Sequence, residues 1–323
     1  MRAGDTTAEP ELAPTPLHQA LVYSSDQELV DAAVPFLRAG AAVAASVLVV
    51  LAPHKRDLVV AALNADPGYA PFGTAQVRWV DPVGWYTFPA HSLRRAAEFA
   101  AGHTPAWMLG EVVWAGRSAA EVREWARYEA LINVALPDTP VFCVYDTRTL
   151  DPAVLVTAAH THPVLRHGRG APVLSDAFLD PVRLIARYDA DALPVPSGPT
   201  RSIDFGGAPD LSAIRRFAAR RADDAGIDGS RGADLVVAVN EAATNAIEHG
   251  DGRGTVRSWT DGDRLVVEVT TLGGPEIDAF AGHLPPDPRG RRGRGMWMIR
   301  QLTDLVEIRP EHPGNSVRMH MRT

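Results

Sequence analysis

The sequence predicts two domains of different class, an α/β domain with a mainly parallel sheet followed by an α+β sandwich. Three observations predict this. At 323 residues the chain is about twice a usual domain of roughly 150 residues. The first half alternates nearly continuous apolar runs of strand length with helical stretches, the pattern of parallel strands buried on both faces. Finally, the stretch ADALPVPSGP, with three prolines between Ala190 and Pro199, reads as a semi-extended linker, and the order of elements changes beyond it.

Residues 1–16, with Glu9, Pro10, Glu11, Pro14 and Pro16 crowded at their end, are expected to be a mobile leader. Residues 17–189 then read as strand LVYS at Leu21, a helix over Asp26 to Ala39, strand SVLVVLA at Ser46 and a helix after His54. AQVRWVD at Ala75 precedes a helix from Ser92 to Ala101. WMLGEVVW at Trp107 precedes one from Ser118 to Ala135, and VFCVYD at Val141 one from Pro152. After the linker, residues 200–323 begin with a strand at Ser202 to Phe205 and helices over Asp210 to Ala225 and Arg231 to His249. Strands TVRSWT and RLVVEVT follow, joined by an Asp-Gly-Asp turn. A Gly/Pro-rich loop, a helix after Gly295 and two strands around Leu305 and Val317 complete the chain.

Composition excludes several classes. Hydrophobic content of 46% and charged content of 22% belong to a folded chain, not a disordered or collagen-like one. A formal charge of -7 gives no global attraction to nucleic acid or anionic lipid, so neither is expected as a direct partner. The longest apolar stretch, Ala39 to Pro53, is shorter than the ~18 to 20 residues that cross a bilayer. Cys143 is the single cysteine, which excludes an internal disulfide and fits a reducing, cytoplasmic setting. Lys55 is the only lysine and no glycine-rich P-loop precedes it, which removes a Walker A site and a Schiff-base lysine. Phosphate binding would fall to arginine, backbone amides or metal.

The segment VVAVNEAATNAIEHG, Val236 to Gly250, carries the chemistry. Helix positions four apart advance only about 40°, so Glu241, Asn245 and His249 form one polar stripe on an Ala/Val-rich helix. Alone, the stripe reads better as a solvated face. Two further signals weigh against that: a glycine turn, TTLGGP, after the strand ending at Val269, and GRRGRGMWMIRQL from Gly290. There Gly293 and Gly295 stand at a helix start whose free N–H groups and dipole can hold phosphate, with Arg289, Arg291, Arg292 and Arg294 adding positive charge.

These motifs, in this order, resemble the GHKL (Bergerat-fold) ATP-binding family, specifically its anti-sigma-factor serine/threonine kinase branch, across residues 200–323. The resemblance implies ATP and Mg²⁺ as cofactors, Asn245 as Mg²⁺ ligand, Glu241 as the base that engages the attacking hydroxyl, and His249, Thr271, Gly273, Gly293, Arg294 and Gly295 around the nucleotide. It makes residues 274–294 an ATP lid, mobile without nucleotide. It implies an anti-sigma-factor antagonist and a sigma factor as partners, and a possible homodimer. The sequence departs from the family at Thr271, where an Asp normally accepts a hydrogen bond from the adenine amino group. A non-catalytic partner-switching module with weak or no ATP use therefore stays open beside the kinase. A self-phosphorylating histidine kinase is excluded, because residues 164–199 leave no room for a phosphoacceptor hairpin.

In the first domain, H-x-A-L at His18, WY at Trp85, EW-x-x-YE-x-x-x-N from Glu124 to Asn133, CVYD at Cys143 and HTHP at His160 resemble the MEDS sensory domain. That likeness implies a RecA-like fold without its P-loop and an unknown small-molecule signal. His160, His162 and His167 are read as packing or capping residues, since positions two apart diverge on a helix, Pro163 ends it and no cysteine pair supports zinc. Cys143 reads as a buried small hydrophobe, and the tryptophans and tyrosines of residues 79–128 as core.

Overall fold

A computed structural model of the chain describes residues 17–65, 77–278, 280–286, 293–311 and 314–323. The expected leader, and Arg289, Arg291 and Arg292 of the expected lid, lie outside the described residues. The first half runs β1 (His18–Tyr23), α1 (Asp26–Ala42), β2 (Ser46–Val50), α2 (Pro53–Asn64), β3 (Val77–Val80), α3 (Pro82–Trp85) and α4 (Pro89–Gly102). It continues with β4 (Ala106–Gly110), α5 (Ala119–Ala135), β5 (Val141–Asp146), α6 (Pro152–Thr161), β6 (Val164–His167), β7 (Val173–Leu174) and α7 (Pro181–Asp189).

Local chemistry sets the helix starts. Three Asp-Pro pairs open α3, α6 and α7: the Asp side chain accepts from the N2 backbone amide, Val83, Ala153 and Val182 respectively. The proline at N1 lacks only an N–H that would have been orphaned anyway. α3, four residues long, is too short to display a periodicity, and the sequence reading has no helix for α7. α5 starts with a reciprocal capping box between Ser118 and Glu121.

The strands form one sheet in the order β3-β2-β4-β5-β1-β6-β7. All its pairings are parallel except β6 with β7. All six residues of β5 are buried, as a strand with both faces covered requires. One face packs with α1 and α2 around Leu29, Leu37, Val59 and Leu63, the other with α4, α5 and α6 around Leu93, Trp125, Leu131 and Val154.

The second half runs β8 (Arg201–Phe205), α8 (Leu211–Asp224), α9 (Gly229–His249), β9 (Gly254–Asp261), β10 (Arg264–Thr271), α10 (Arg294–Leu302), β11 (Leu305–Glu311) and β12 (Gly314–Arg322). Its sheet is antiparallel, in the order β11-β12-β10-β9-β8. Strand alternation turns Val306, Ile308, Val317, Met319 and Met321 toward α8, α9 and α10.

The other face of β11 and β12 carries Glu307, Arg309, Arg318 and His320, all buried. They are covered by the first half: Arg123 pairs with Glu307 at 2.9 Å, and Arg309 with Asp189 at 3.0 Å. Residues 190–199 lie along this seam, where Arg309 donates to Asp191 O and Arg318 to Pro194 O. Among the described residues, no helix is long and apolar enough to cross a membrane.

Candidate functional site

α9 is a 21-residue helix whose N-cap, Asp228, accepts from the Arg231 amide. Leu235, Ala238, Val239, Ala242, Ala243 and Ala246 bury one side against the sheet. Glu241 and Asn245 are half-buried and His249 is exposed, so the polar stripe is not simply a solvated face: it turns toward α10.

α10 begins at Arg294 with Gly293 as N-cap in the left-handed region, φ 87°, and a glycine has no side chain with which to cap it. Its first amides are thus not satisfied by a cap. A Cβ added to Gly295 would sit 3.1 and 3.2 Å from the Asn245 side-chain amide and 3.3 Å from a Glu241 carboxylate oxygen. The helix start and both polar residues of α9 are therefore one constellation, packed so closely that only glycine fits comfortably.

The turn after β10 closes the third side. Asp251 N donates to Leu272 O, and Leu272 N to Arg253 O, which ties this turn to the C-terminal end of α9. Gly273 and Gly274 have φ of 74° and 96°, where L side chains are strained. A side chain at Gly273 would also overlap the Asp251 carboxylate.

The cleft so enclosed has a volume of about 820 Å³, its open mouth included, and is lined by Asn245, His249, Thr271, Gly273, Gly293 and Gly295 among others. Ile277, Met296 and Val317 give it apolar walls. Arg294 is exposed at the first position of α10 and does not line it. Glu241 does not line it either; it lies one helical turn from Asn245, beside Gly295.

Thr271 is 8% exposed, and its hydroxyl is committed to the backbone: Asn315 N donates to Oγ1 at 2.9 Å. A hydroxyl held in this way is poorly placed to read a base. Sequence reasoning missed Asn315, which also lines the cleft. Its Nδ2 donates to Pro275 O at 3.0 Å, and its buried Oδ1 has no hydrogen-bond partner among the described residues. No spacing rule connects Asn315 to the Asn245 motif; only the pairing of β10 with β12, Thr270 opposite Ser316, brings them to one cleft.

The lid expected over residues 274–294 is described for 274–278, 280–286, 293 and 294. Phe280 packs against the first half's core, and Ala281 O accepts from Arg300 Nε at 3.0 Å. The buried Arg300 guanidinium lies 3.7 Å from Glu124 of α5, and burial lowers its pKa to about 10. On the same seam His91 Nε2 lies 2.8 Å from Gln301 O, and Arg94 donates to the Gln301 side chain. α10 and the segment before it thus touch both the cleft and the first half.

Residues 17–163 match the MEDS family, described as the MEthanogen/methylotroph, DcmR Sensory domain. Residues 208–321 match the family described as the histidine kinase-like ATPase domain. No curated protein matches the chain. Among solved structures, the RsbU and RsbW domains of Rv1364c from Mycobacterium tuberculosis are similar at 21% identity and a TM-score of 0.30, over 39% of this chain and 32% of that one. The SiaB-SiaC complex from Pseudomonas aeruginosa is similar at 16% identity and a TM-score of 0.30, over 38% of this chain and 88% of that chain. At such scores neither likeness carries a functional argument, and the chain spans only about a third of the first structure's length.

Proposed function

From a chain that carries a MEDS domain followed by a histidine kinase-like ATPase domain, we propose a signalling regulator that binds Mg-ATP in the cleft between α9 and α10. It would phosphorylate a serine or threonine of a partner protein, an anti-sigma-factor antagonist, and thereby control a sigma factor. The observation that carries this reading is the meeting of Gly295 with Asn245 and Glu241.

The residues present fit the nucleotide. Asn245 offers a neutral amide oxygen, the hard donor that Mg²⁺ accepts while keeping water and phosphate oxygens as its other ligands. The amides at the start of α10, which its glycine N-cap does not cap, would hold phosphate oxygens. When bound, Mg-ATP supplies a γ-phosphoryl group whose charge the metal helps neutralise. The Glu241 carboxylate, which like the Asn245 amide lies beside Gly295, would accept the proton of an incoming hydroxyl and orient its oxygen. The glycines at 273, 274, 293 and 295 let backbone approach where side chains would fill the cleft. Asn315 Oδ1, buried and unpartnered, is the acceptor we assign to the adenine amino group in place of the carboxylate absent at Thr271.

A partner-switching module that does not transfer phosphate is the second reading, and the engagement of the Thr271 hydroxyl by Asn315 N favours it. Calorimetry with Mg-ATP, combined with phosphate transfer from labelled ATP to the antagonist, separates the two. Asn245→Ala is expected to abolish Mg-ATP binding, whereas Glu241→Ala keeps binding and loses transfer. Unchanged affinity in Asn245→Ala would overturn the assignment of the cleft.

A further inference from the structure

Four side chains from four separate elements of the first half converge in its core: His18 of β1, Glu129 of α5, Cys143 of β5 and His162 at the C-terminal cap of α6. Their exposures are 4%, 0%, 6% and 0%. One potential ligand atom from each lies within 4.8 Å of all the others. His18 Nε2 is 3.6 Å and His162 Nε2 3.4 Å from Glu129 Oε2. Cys143 Sγ is 3.5 Å from both His18 Nε2 and Glu129 Oε2. Donors about 2.0 to 2.3 Å from a tetrahedral ion stand roughly 3.3 to 3.8 Å from each other; the four contacts just given fall in that range, and the two remaining pairs lie within 4.8 Å.

The surroundings orient these atoms for a cation. Asn133 donates through Nδ2 to Ala130 O and Thr161 O, which leaves its Oδ1, 3.2 Å from His18 Nδ1, as the acceptor. His18 therefore carries its proton on Nδ1 and presents a lone pair at Nε2. His162 does likewise: its Nδ1 is 2.9 Å from Ala158 O, and Nε2, although fully buried, makes no hydrogen bond among the described residues. Glu129 Oε1 is also buried and unpartnered. Two imidazole lone pairs thus face one carboxylate oxygen, an arrangement in which acceptors repel unless positive charge lies between them. The Cys143 thiol has one proton to give and cannot serve both histidines and the carboxylate.

We infer that His18, Glu129, Cys143 and His162 form a binding site for one divalent transition ion of the zinc type. Two imidazoles, a thiolate and a carboxylate suit Zn²⁺ and its Co²⁺ analogue, and unlike the all-oxygen setting of Asn245 they do not suit Mg²⁺. Carboxylate and thiolate together balance the ion's two charges, so the loaded site is neutral in an apolar core, and Asn133, Ala158 and Thr161 supply the supporting shell. An apolar pocket lined by Trp85, Tyr86, Met108 and Tyr128 reaches Cys143. From sequence, His160, His162 and His167 read alike as packing or capping residues; only His162 joins the cluster, while His160 is half-buried and His167 exposed.

The test uses the full chain, expressed in zinc-supplemented medium, purified without chelator and assayed by elemental mass spectrometry. About one zinc per chain is expected, falling toward background in Cys143→Ser and His162→Gln. Asn133→Leu should weaken zinc affinity about 10- to 100-fold without removing any ligand. Protein produced with cobalt should show a thiolate-to-Co²⁺ charge-transfer band that Cys143→Ser eliminates; cobalt held only at the Mg²⁺ position would give no such band. Near-UV circular dichroism identifies any variant that fails to fold, and Cys143→Ser, nearly isosteric, is the variant on which the inference stands. Wild-type chain with no more zinc than Cys143→Ser, and no thiolate band with cobalt, would show a metal-free polar cluster and overturn it.

Discussion

The buried carboxylates of α5 fall into two environments. Glu121 and Glu124 face the second half and meet arginine, from Arg264 and Arg322 in one case and Arg127 and Arg300 in the other. Glu129, on the same helix, is fully buried, and its ion-pair partners among the described residues are two histidines. The same residue type thus does two different things. Arginine makes the first group an adhesive between the halves, specific in geometry because guanidinium–carboxylate pairs are directional. Without a permanent cation, the second is a place where one is needed. The difference teaches that buried charge is informative only once its partners are named.

The largest expected effect breaks the paired group. Arg127, 3% exposed, donates to Glu124 at 3.1 Å and to Asp189 at 2.7 Å. Arg127→Leu leaves both carboxylates with less compensation and should cost about 3 to 5 kcal/mol in urea unfolding. In zinc-free protein Glu129→Gln should cost much less, since it removes a buried charge that has no permanent counter-ion. Equal losses would show that the two environments are not energetically distinct.

Acid probes the same contrast more gently. Burial would raise the Glu307 carboxyl, but hydrogen bonds from His320 and Arg123 outweigh it and hold the pKa at about 2. At Glu121 the Ser118 amide and Arg264 likewise outweigh burial, again giving about 2. A folded pKa below the unfolded value of about 4.3 means stabilisation present above that pH and lost as pH falls toward 2. The seam should therefore loosen between about pH 4.3 and 2, seen as proteolysis within residues 190–199 before the sheets unfold. Simultaneous loss of seam and sheets would contradict this.

The smallest effect concerns the cleft. If Asn315 reads the base weakly in place of a carboxylate, Thr271→Asp should tighten ATP by roughly 1 to 3 kcal/mol and GTP by less, because adenine offers an amino donor at that edge. An equal gain for both nucleotides, measured by calorimetry, would remove adenine recognition from this position.

Much of the candidate cleft was legible because it is built from short contiguous motifs. Asn245 and Glu241 lie one helical turn apart, and Gly293 and Gly295 mark a helix start by their own backbone preferences, so periodicity and punctuation were enough to find them. The strands of the first sheet were equally plain, since burial on both faces leaves unbroken apolar runs such as that of β5. What the sequence by itself determined was therefore local: element type, most boundaries, and the separate pieces of the candidate cleft.

Tertiary structure decided the rest, because side chains far apart in sequence carry no mark of whom they meet. The pairing of β10 with β12 gave Thr271 its backbone partner and brought Asn315 into the cleft. The packing of α5 and α7 against the second sheet makes Glu307 and Arg309 part of a buried seam. Cys143 sits in an apolar strand, as a small hydrophobe would, yet the parallel pairing of β1 with β5 and the packing of α5 and α6 over them place its sulfur beside His18, Glu129 and His162. Spacing rules detect sites whose ligands share a helix or a loop. A site whose four ligands come from four elements exists only once the sheet has closed and the helices have packed on it.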